Sequence, residues 1–354
     1  MSAPVTFVIM AGGRGERLWP LVRATSPKVC LSPDGSRSLL RATVERLRSA
    51  WPGTGIMVVT TAEQAAAVRA QLPASLRRAV LVEPRIRNTA ACMTLAAVAL
   101  AARDPDQVMV AVPADHWIDR MSAYRQAVQT AIRAALEHET IATVGIKPTR
   151  AHSGLGYLCA GRRLSAPGGG ARVFRLARFV EKPSAAAAAK LLRRPGTYWN
   201  SGTFVGTAET FLSRITEWLP DHSRRLVPLA RRVWRGGGSL RRAYDALQPI
   251  SFDHGVMVHL RDGVVVEGRY GWADLGSWDV WAALGRNGSP TLTVDGGRVT
   301  VVSQPNHLVA TIGVKDLLIV QTPTATLVCR ADRVQGVREL VRRLQANRRF
   351  ARFV

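Results

Sequence analysis

Long hydrophobic runs are missing from the 354 residues, and none approaches the ~20 apolar positions that a membrane-spanning helix needs. The N-terminus carries no basic leader, so no signal peptide is expected. Cysteine is scarce: Cys30, Cys92, Cys159 and Cys329 lie far apart and form no CxxC pair. That argues against a zinc site and against a disulfide framework. The seven histidines include no HExxH-type pair. Together these absences point to a cytoplasmic protein. Acidic residues are also few, 25 against 49 basic ones, for a formal charge of +24. Such a balance suits nucleic acid, anionic membrane or phosphorylated small molecules. The arginines recur as scattered pairs, such as Arg193-Arg194 and Arg342-Arg343, rather than as one stripe, and no base-stacking aromatics are interleaved with them. Neither nucleic acid nor membrane is therefore expected as a partner. Lysine is rare as well, at five positions: Lys28, Lys147, Lys182, Lys190 and Lys315. Where arginine supplies the general charge, a lysine kept inside a distinctive motif suggests a need for a compact ammonium. Lys28 and Lys182 sit in such motifs.

What is present is an alternation of apolar strand patterns with helical ones through the first half of the chain. Strands separated by helices of this length imply right-handed crossovers and a mainly parallel sheet covered on both faces. Ligands then sit beyond the C-terminal strand ends. Near residue 286 the texture changes to short β runs punctuated by Gly, Asn and Asp, followed by a helical pattern with Val334, Val337, Val341 and Leu344 on one face. The expected division is residues 1–286 and a small β-rich unit, 287–354, resembling a β-solenoid but without a strict period.

The first strand end reads VIMAGGRGERLWPL. A dinucleotide fingerprint needs G-x-G-x-x-G, but Leu18 stands where the third glycine belongs, and no G-K-S/T follows to make a Walker loop. A triphosphate-gripping loop accounts for more residues. Gly12, Gly13 and Gly15 let backbone N–H groups approach phosphate oxygens. Arg17 adds a planar donor fork, and Lys28 can bring an ammonium to the same phosphates.

AGGRGERLWPL…SPKVCL resembles the signature of the sugar-1-phosphate nucleotidylyltransferases, particularly those that guanylylate mannose 1-phosphate. EPRIRNTAACMTLAA, VPADHWI, GIKPTRAHSGLGYL, FVEKP, YWNSGTFV, ISFDHGVM and WADLGSW are similar to further motifs of that family, in order. The chain departs from the family pattern at Val29-Cys30, His152-Ser153, Leu155 and Gly255. None of these removes a charged group.

The resemblance implies a Rossmann-like, mainly parallel mixed sheet with helices on both faces, of the GT-A-like nucleotidyltransferase type. It implies transfer of GMP from GTP to mannose 1-phosphate by a single in-line displacement, with pyrophosphate leaving. Asp115 and Asp274 are then the ligands of Mg2+, and Asp115 also belongs to the nucleotide site. Arg17, Lys28 and Lys182 are the catalytic cations, with Lys182 meeting the sugar phosphate. Glu181, Asn200 and Gly156 line the sugar site. Glu83, Asn88 and Thr89 stand where guanine would be read, and the atom that reads it stays open. His116 is read as fixing its loop or touching nucleotide, and Trp199 as core. The resemblance allows a homodimer paired through the C-terminal β unit, and no second enzymatic domain is expected within 354 residues. Two alternatives stand beside this reading: the same chemistry on another sugar phosphate or nucleotide, and a non-catalytic nucleic-acid-binding or regulatory protein.

Overall fold

The computed structural model describes residues 4–23, 26–33, 36–166, 170–230, 232–234, 236–283, 291–303 and 307–354. The expected boundary at 286/287 lies outside the described residues. A nine-stranded sheet is built from β1 (Val5–Met10), β2 (Gly55–Thr61), β3 (Val80–Glu83), β4 (Val108–Pro113), β6 (Ala142–Ile146), β7 (Tyr157–Leu164), β8 (Val173–Val180), β9 (Thr197–Thr207) and β10 (Val264–Gly268). Two short strands, β5 (His116–Ile118) and β11 (Trp272–Asp274), pair beside it. The order is β3-β2-β1-β4-β9-β6-β10-β8-β7. Strands β3, β2, β1 and β4 are parallel, as apolar runs joined by helical crossovers require. The second half is mixed: β9 runs antiparallel to β4, β6 and β7, while β10 and β6 are parallel.

Helices α1 (Leu39–Ala50), α2 (Ala65–Gln71), α3 (Asn88–Ala101) and α4 (Met121–Glu137) connect the first strands. Buried residues run along one stripe of α1 and α4, whereas α3 is buried throughout Ala90–Leu100. Its all-round apolarity follows from its place between the sheet and the helices Ala208–Trp218 and Pro220–Leu226. Two cores result, one on each face of the sheet. No helix among the described residues is long and apolar enough to cross a membrane.

The C-terminal unit holds β12 (Thr291–Val294), β13 (Val299–Val302), β14 (Val309–Ile312), β15 (Leu317–Gln321) and β16 (Thr326–Arg330), then a helix at Val337–Ala346. β12 pairs with β14, and β13 with β15, in parallel, each residue opposite one eighteen positions further on. That is solenoid stacking. With only one such offset repeated, the chain is too short to show it as a sequence period. A third core joins this unit to the sheet domain and contains Leu18, Trp19, Leu275 and Trp278 together with Leu318, Val320, Val337 and Val341.

Candidate active site

The glycine turn follows β1 at the C-terminal end of the parallel strands. Gly15 has φ +63°, and a Cβ there would lie 2.7 Å from Lys28 Cβ, so a bare backbone is needed for Lys28 to pack against the turn. A Cβ on Gly12 would lie 3.3 Å from Glu83 Oε2, while Gly13 has open space above it. The Gln64 amide donates to Gly13 O at 3.2 Å and holds the turn from below.

Short strand β5 begins directly after Asp115, and β11 ends on Asp274. Their antiparallel pairing sets Asp274 opposite His116. Two segments more than 150 residues apart in sequence are thereby brought to one point. Lys28 Nζ lies 2.5 Å from Asp115 Oδ2 and 3.4 Å from Asp274 Oδ1. The lysine is buried, yet its pKa is raised. Burial opposes the charged form, but the two carboxylates outweigh it. Asp274 shows the mirror image: burial pushes its pKa up, and Lys28, followed by His116 and Arg17, brings it below the usual carboxylate value.

One ligand atom each from Asp115, His116 and Asp274 falls within 4.8 Å of the others. The imidazole is the weakest of the three as a metal ligand. Trp272 Nε1 donates to His116 Nδ1 at 3.2 Å, which places the neutral ring's proton on Nε2. Burial, the main influence, lowers the His116 pKa and keeps the ring neutral. Two carboxylates remain, a hard-oxygen donor set that suits magnesium. A cavity of about 310 Å3 opens here, lined by Arg17, Trp199, Trp272 and Asp274 and by the departures His152 and Leu155.

A second cluster gathers around β9. Gly156 O accepts from Asn200 N at 2.8 Å, and a Cβ at 156 would lie 2.7 Å from Glu181 Oε2. Lys182 has φ +43° and pairs with Glu181 at 2.6 Å. Asn200 is held at both ends of its amide. Its Oδ1 accepts from Thr143 at 3.2 Å and Gly202 N at 3.1 Å, and its Nδ2 donates to Asp253 Oδ1 at 2.9 Å. Asp253 opens a π-helical turn, Asp253–Met257. Burial above all, and then Glu181, push its pKa up to about 7. Asp253 lies inside ISFDHGVM, where the sequence gives it no role. An acid inside a recognisable motif was the available signal. Among the described contacts, Lys182 joins this cluster and not the one around Lys28.

Glu83 is buried under Gly12, where Tyr244 OH donates to Oε1 at 3.3 Å and burial pushes the pKa up to about 8. Asn88, at φ +65°, caps its neighbour through Oδ1 to Thr89 N at 2.8 Å. Thr89 Oγ1 accepts from Phe252 N at 2.8 Å, which links the start of α3 to the turn that carries Asp253. Trp199 is buried, as expected, and borders the 310 Å3 cavity.

Residues 6–286 match the nucleotidyl transferase family model, and residues 291–344 match the MannoseP isomerase/GMP-like β-helix domain. A mannose-1-phosphate guanylyltransferase of Salmonella muenchen is 33% identical over 97% of this chain and 74% of its own length. The alginate biosynthesis protein AlgA of Pseudomonas aeruginosa is 32% identical over 97% and 72%. A crystal structure from Thermus thermophilus, described as a mannose-1-phosphate geranyltransferase, is 32% identical with a TM-score of 0.79, covering 96% of this chain and 99% of that one. A match that takes in the glycine turn, both acids and the solenoid is more than a likeness of fold, and the chain belongs to the nucleotidyl transferase family, in its mannose-1-phosphate guanylyltransferase branch.

Proposed function

We propose that this protein transfers GMP from GTP to mannose 1-phosphate, giving GDP-mannose and pyrophosphate. The observation that carries the reading is the β5–β11 pairing, which sets Asp115 and Asp274 around Lys28 beside the cavity that Arg17 lines. The triphosphate lies over Gly12, Gly13 and Gly15, with the base toward Glu83, Asn88 and Thr89 at the end of β3. The sugar lies among Gly156, Glu181, Asn200 and Asp253, with Lys182 on its phosphate. An oxygen of that phosphate attacks the α-phosphorus of GTP in line as the bond to the bridging oxygen of pyrophosphate breaks. The phosphate dianion needs no base, so the work is positioning and charge neutralisation. Lys28 keeps Asp274 ionised and holds the two acids close, and with Arg17 it donates to the phosphate oxygens. Asp115 and Asp274 would hold Mg2+, which neutralises phosphate charge when bound.

Free thiols at all four cysteines support a reducing, cytoplasmic setting. Leu292, Val294 and Ile312, exposed on one face of β12 and β14, support a homodimer joined through this unit. The test of function is pyrophosphate release across the four NTPs paired with mannose, glucose and other hexose 1-phosphates. Release that is highest with GTP and mannose 1-phosphate is expected. Preference for another pair, or no release at all, refutes the assignment.

A further inference from the structure

Arg17 and Asp274 lie on short segments with little regular structure of their own. Arg17 is in a single 3-10 turn, Glu16–Leu18, and Asp274 ends a three-residue strand. In both segments the polar residue lines the cavity while the next residue, Leu18 or Leu275, is buried in the core shared with the C-terminal unit. Hydrogen bonds follow the same route. Trp278 Nε1, four residues beyond Asp274, donates to Trp19 O at 3.2 Å, and Trp19 Nε1 donates to Phe353 O at 2.8 Å. Arg23 donates to Thr322 at 3.2 Å and Thr324 at 2.5 Å, and Arg338 faces Glu16 at 3.6 Å. Gln335, from the turn before the last helix, lines the same cavity as Arg17 and Asp274.

We propose that the C-terminal unit positions the active site: acting through Trp19, it sets the spacing between the segment carrying Arg17 and the segment carrying Asp274. The inference rests on the roles given above to those two residues. It separates the site into two ends. The nucleotide and metal end depends on the C-terminal core. The sugar end is outside it, because Glu181 follows β8, Asn200 lies on β9 and Asp253 opens its own turn, none of them in that core. Val341 and Trp19 are positioning residues here, not catalytic ones.

The test uses the full chain with Val341→Ala, Val341→Ile and Trp19→Phe. Val341 is 2% exposed, so alanine loosens the shared core, whereas isoleucine keeps the β-branched side chain and adds one methylene. Trp19→Phe keeps an aromatic ring but removes the N–H donor together with part of the indole's volume, and it is a second, independent probe should the Val341→Ala protein fail to fold. Three quantities are measured below the melting temperature of each variant: Mn2+ affinity by electron paramagnetic resonance, and GTP and mannose 1-phosphate affinities by calorimetry. In Val341→Ala and Trp19→Phe, Mn2+ and GTP binding are expected to weaken about tenfold, the lower end of what lost ligand-orienting contacts cost a metal site. Mannose 1-phosphate binding is expected to stay within about twofold, and Val341→Ile to keep the wild-type metal affinity within about twofold. A lower melting temperature with unchanged Mn2+ affinity overturns the proposal, as does equal weakening of all three ligands. Mn2+ affinity does not depend on which sugar or base is used, so the proposal stands or falls even if the substrate screen fails. A wild-type chain that binds no Mn2+ also overturns it.

Discussion

Replacing Asp253 with asparagine should make the protein more stable and less active. The carboxyl is largely buried, and its pKa is pushed to about 7, first by burial and then by Glu181, against the opposing pull of Lys182 and the Asn200 hydrogen bond. In the unfolded chain it returns to about 3.9. A folded pKa above the unfolded one means that the folded state holds the proton more tightly. Its contribution is therefore complete below about pH 4 and is lost as pH rises through about 7. The slope is ~1.4 kcal/mol per pH unit for one group, and three units give a ceiling of ~4 kcal/mol. The carboxyl keeps some contact with water, which lowers that ceiling. Asparagine has the same shape, still accepts from Asn200 Nδ2, and has no charge to bury. Melting temperatures of wild type and variant should coincide near pH 3.5 and separate by several degrees by pH 7.5, with Asp253→Asn the higher. If Asp253 accepts a sugar hydroxyl, losing a hydrogen bond to a charged group costs about 1.5–3 kcal/mol, or roughly 10- to 100-fold in kcat/KM for mannose 1-phosphate, with KM for GTP unchanged. Parallel pH curves would refute the burial argument, and an unchanged sugar KM would refute the role.

Two further changes probe the other end of the cleft. Lys28→Ala leaves Asp115 and Asp274 without their shared cation and should lower kcat/KM by about 10²–10³, as loss of a transition-state donor does; near-wild-type steady-state kinetics would remove Lys28 from the mechanism. Gly15→Ala places a methyl 2.7 Å from Lys28 Cβ at φ +63°, so a loss of roughly 1–3 kcal/mol in stability is expected from denaturation curves, along with weaker GTP binding. Unchanged GTP affinity would show that Lys28 does not depend on that bare turn.

Much of this cleft was legible in the sequence because its residues are constrained one at a time. A strand ending in Gly12-Gly13 and Gly15 reads as a loop open to phosphate whatever surrounds it. Apolar runs spaced by helices likewise require the parallel half of the sheet. What was hidden depends on partners distant along the chain. Only the family resemblance pairs Asp115 with Asp274 in the sequence, and the β5–β11 register supplies the physical reason that they meet. Glu83 read as a base contact at a strand end, but its depth beneath Gly12 and its tie to Tyr244 come from a segment 161 residues away. Trp19 and Trp278 carry no signal of their own in the sequence. Their hydrogen bonds, from Trp19 to Phe353 and from Trp278 to Trp19, join segments 334 and 259 residues apart. The solenoid offset of eighteen residues escaped for a simpler reason: a period seen once is not a pattern.

Two carboxyl groups near one cleft are driven in opposite directions, and the difference predicts how the enzyme responds to pH. Asp274, beside Lys28, is held low and carries its charge where a cation is needed. Glu83 has no cation among its described partners. Its neighbours are Tyr244 and Cys92, and burial lifts it to about 8, so it is neutral at pH 7. Its Oε2 lies directly under Gly12, where the triphosphate is proposed to approach. A neutral acid there is harmless, whereas an ionised one repels the phosphates. At an effective dielectric near 20, a unit charge about 10 Å from one phosphate charge costs roughly 1.5 kcal/mol, about tenfold in affinity. KM for GTP should therefore rise as pH passes through about 8 in the wild type and stay level in Glu83→Gln. The stability sign agrees: the folded pKa exceeds the unfolded one, so wild-type stability falls between about pH 4.5 and 8, and the glutamine variant avoids that loss. A GTP KM that climbs equally in both proteins would place the titrating group elsewhere and leave Glu83 as structural support alone.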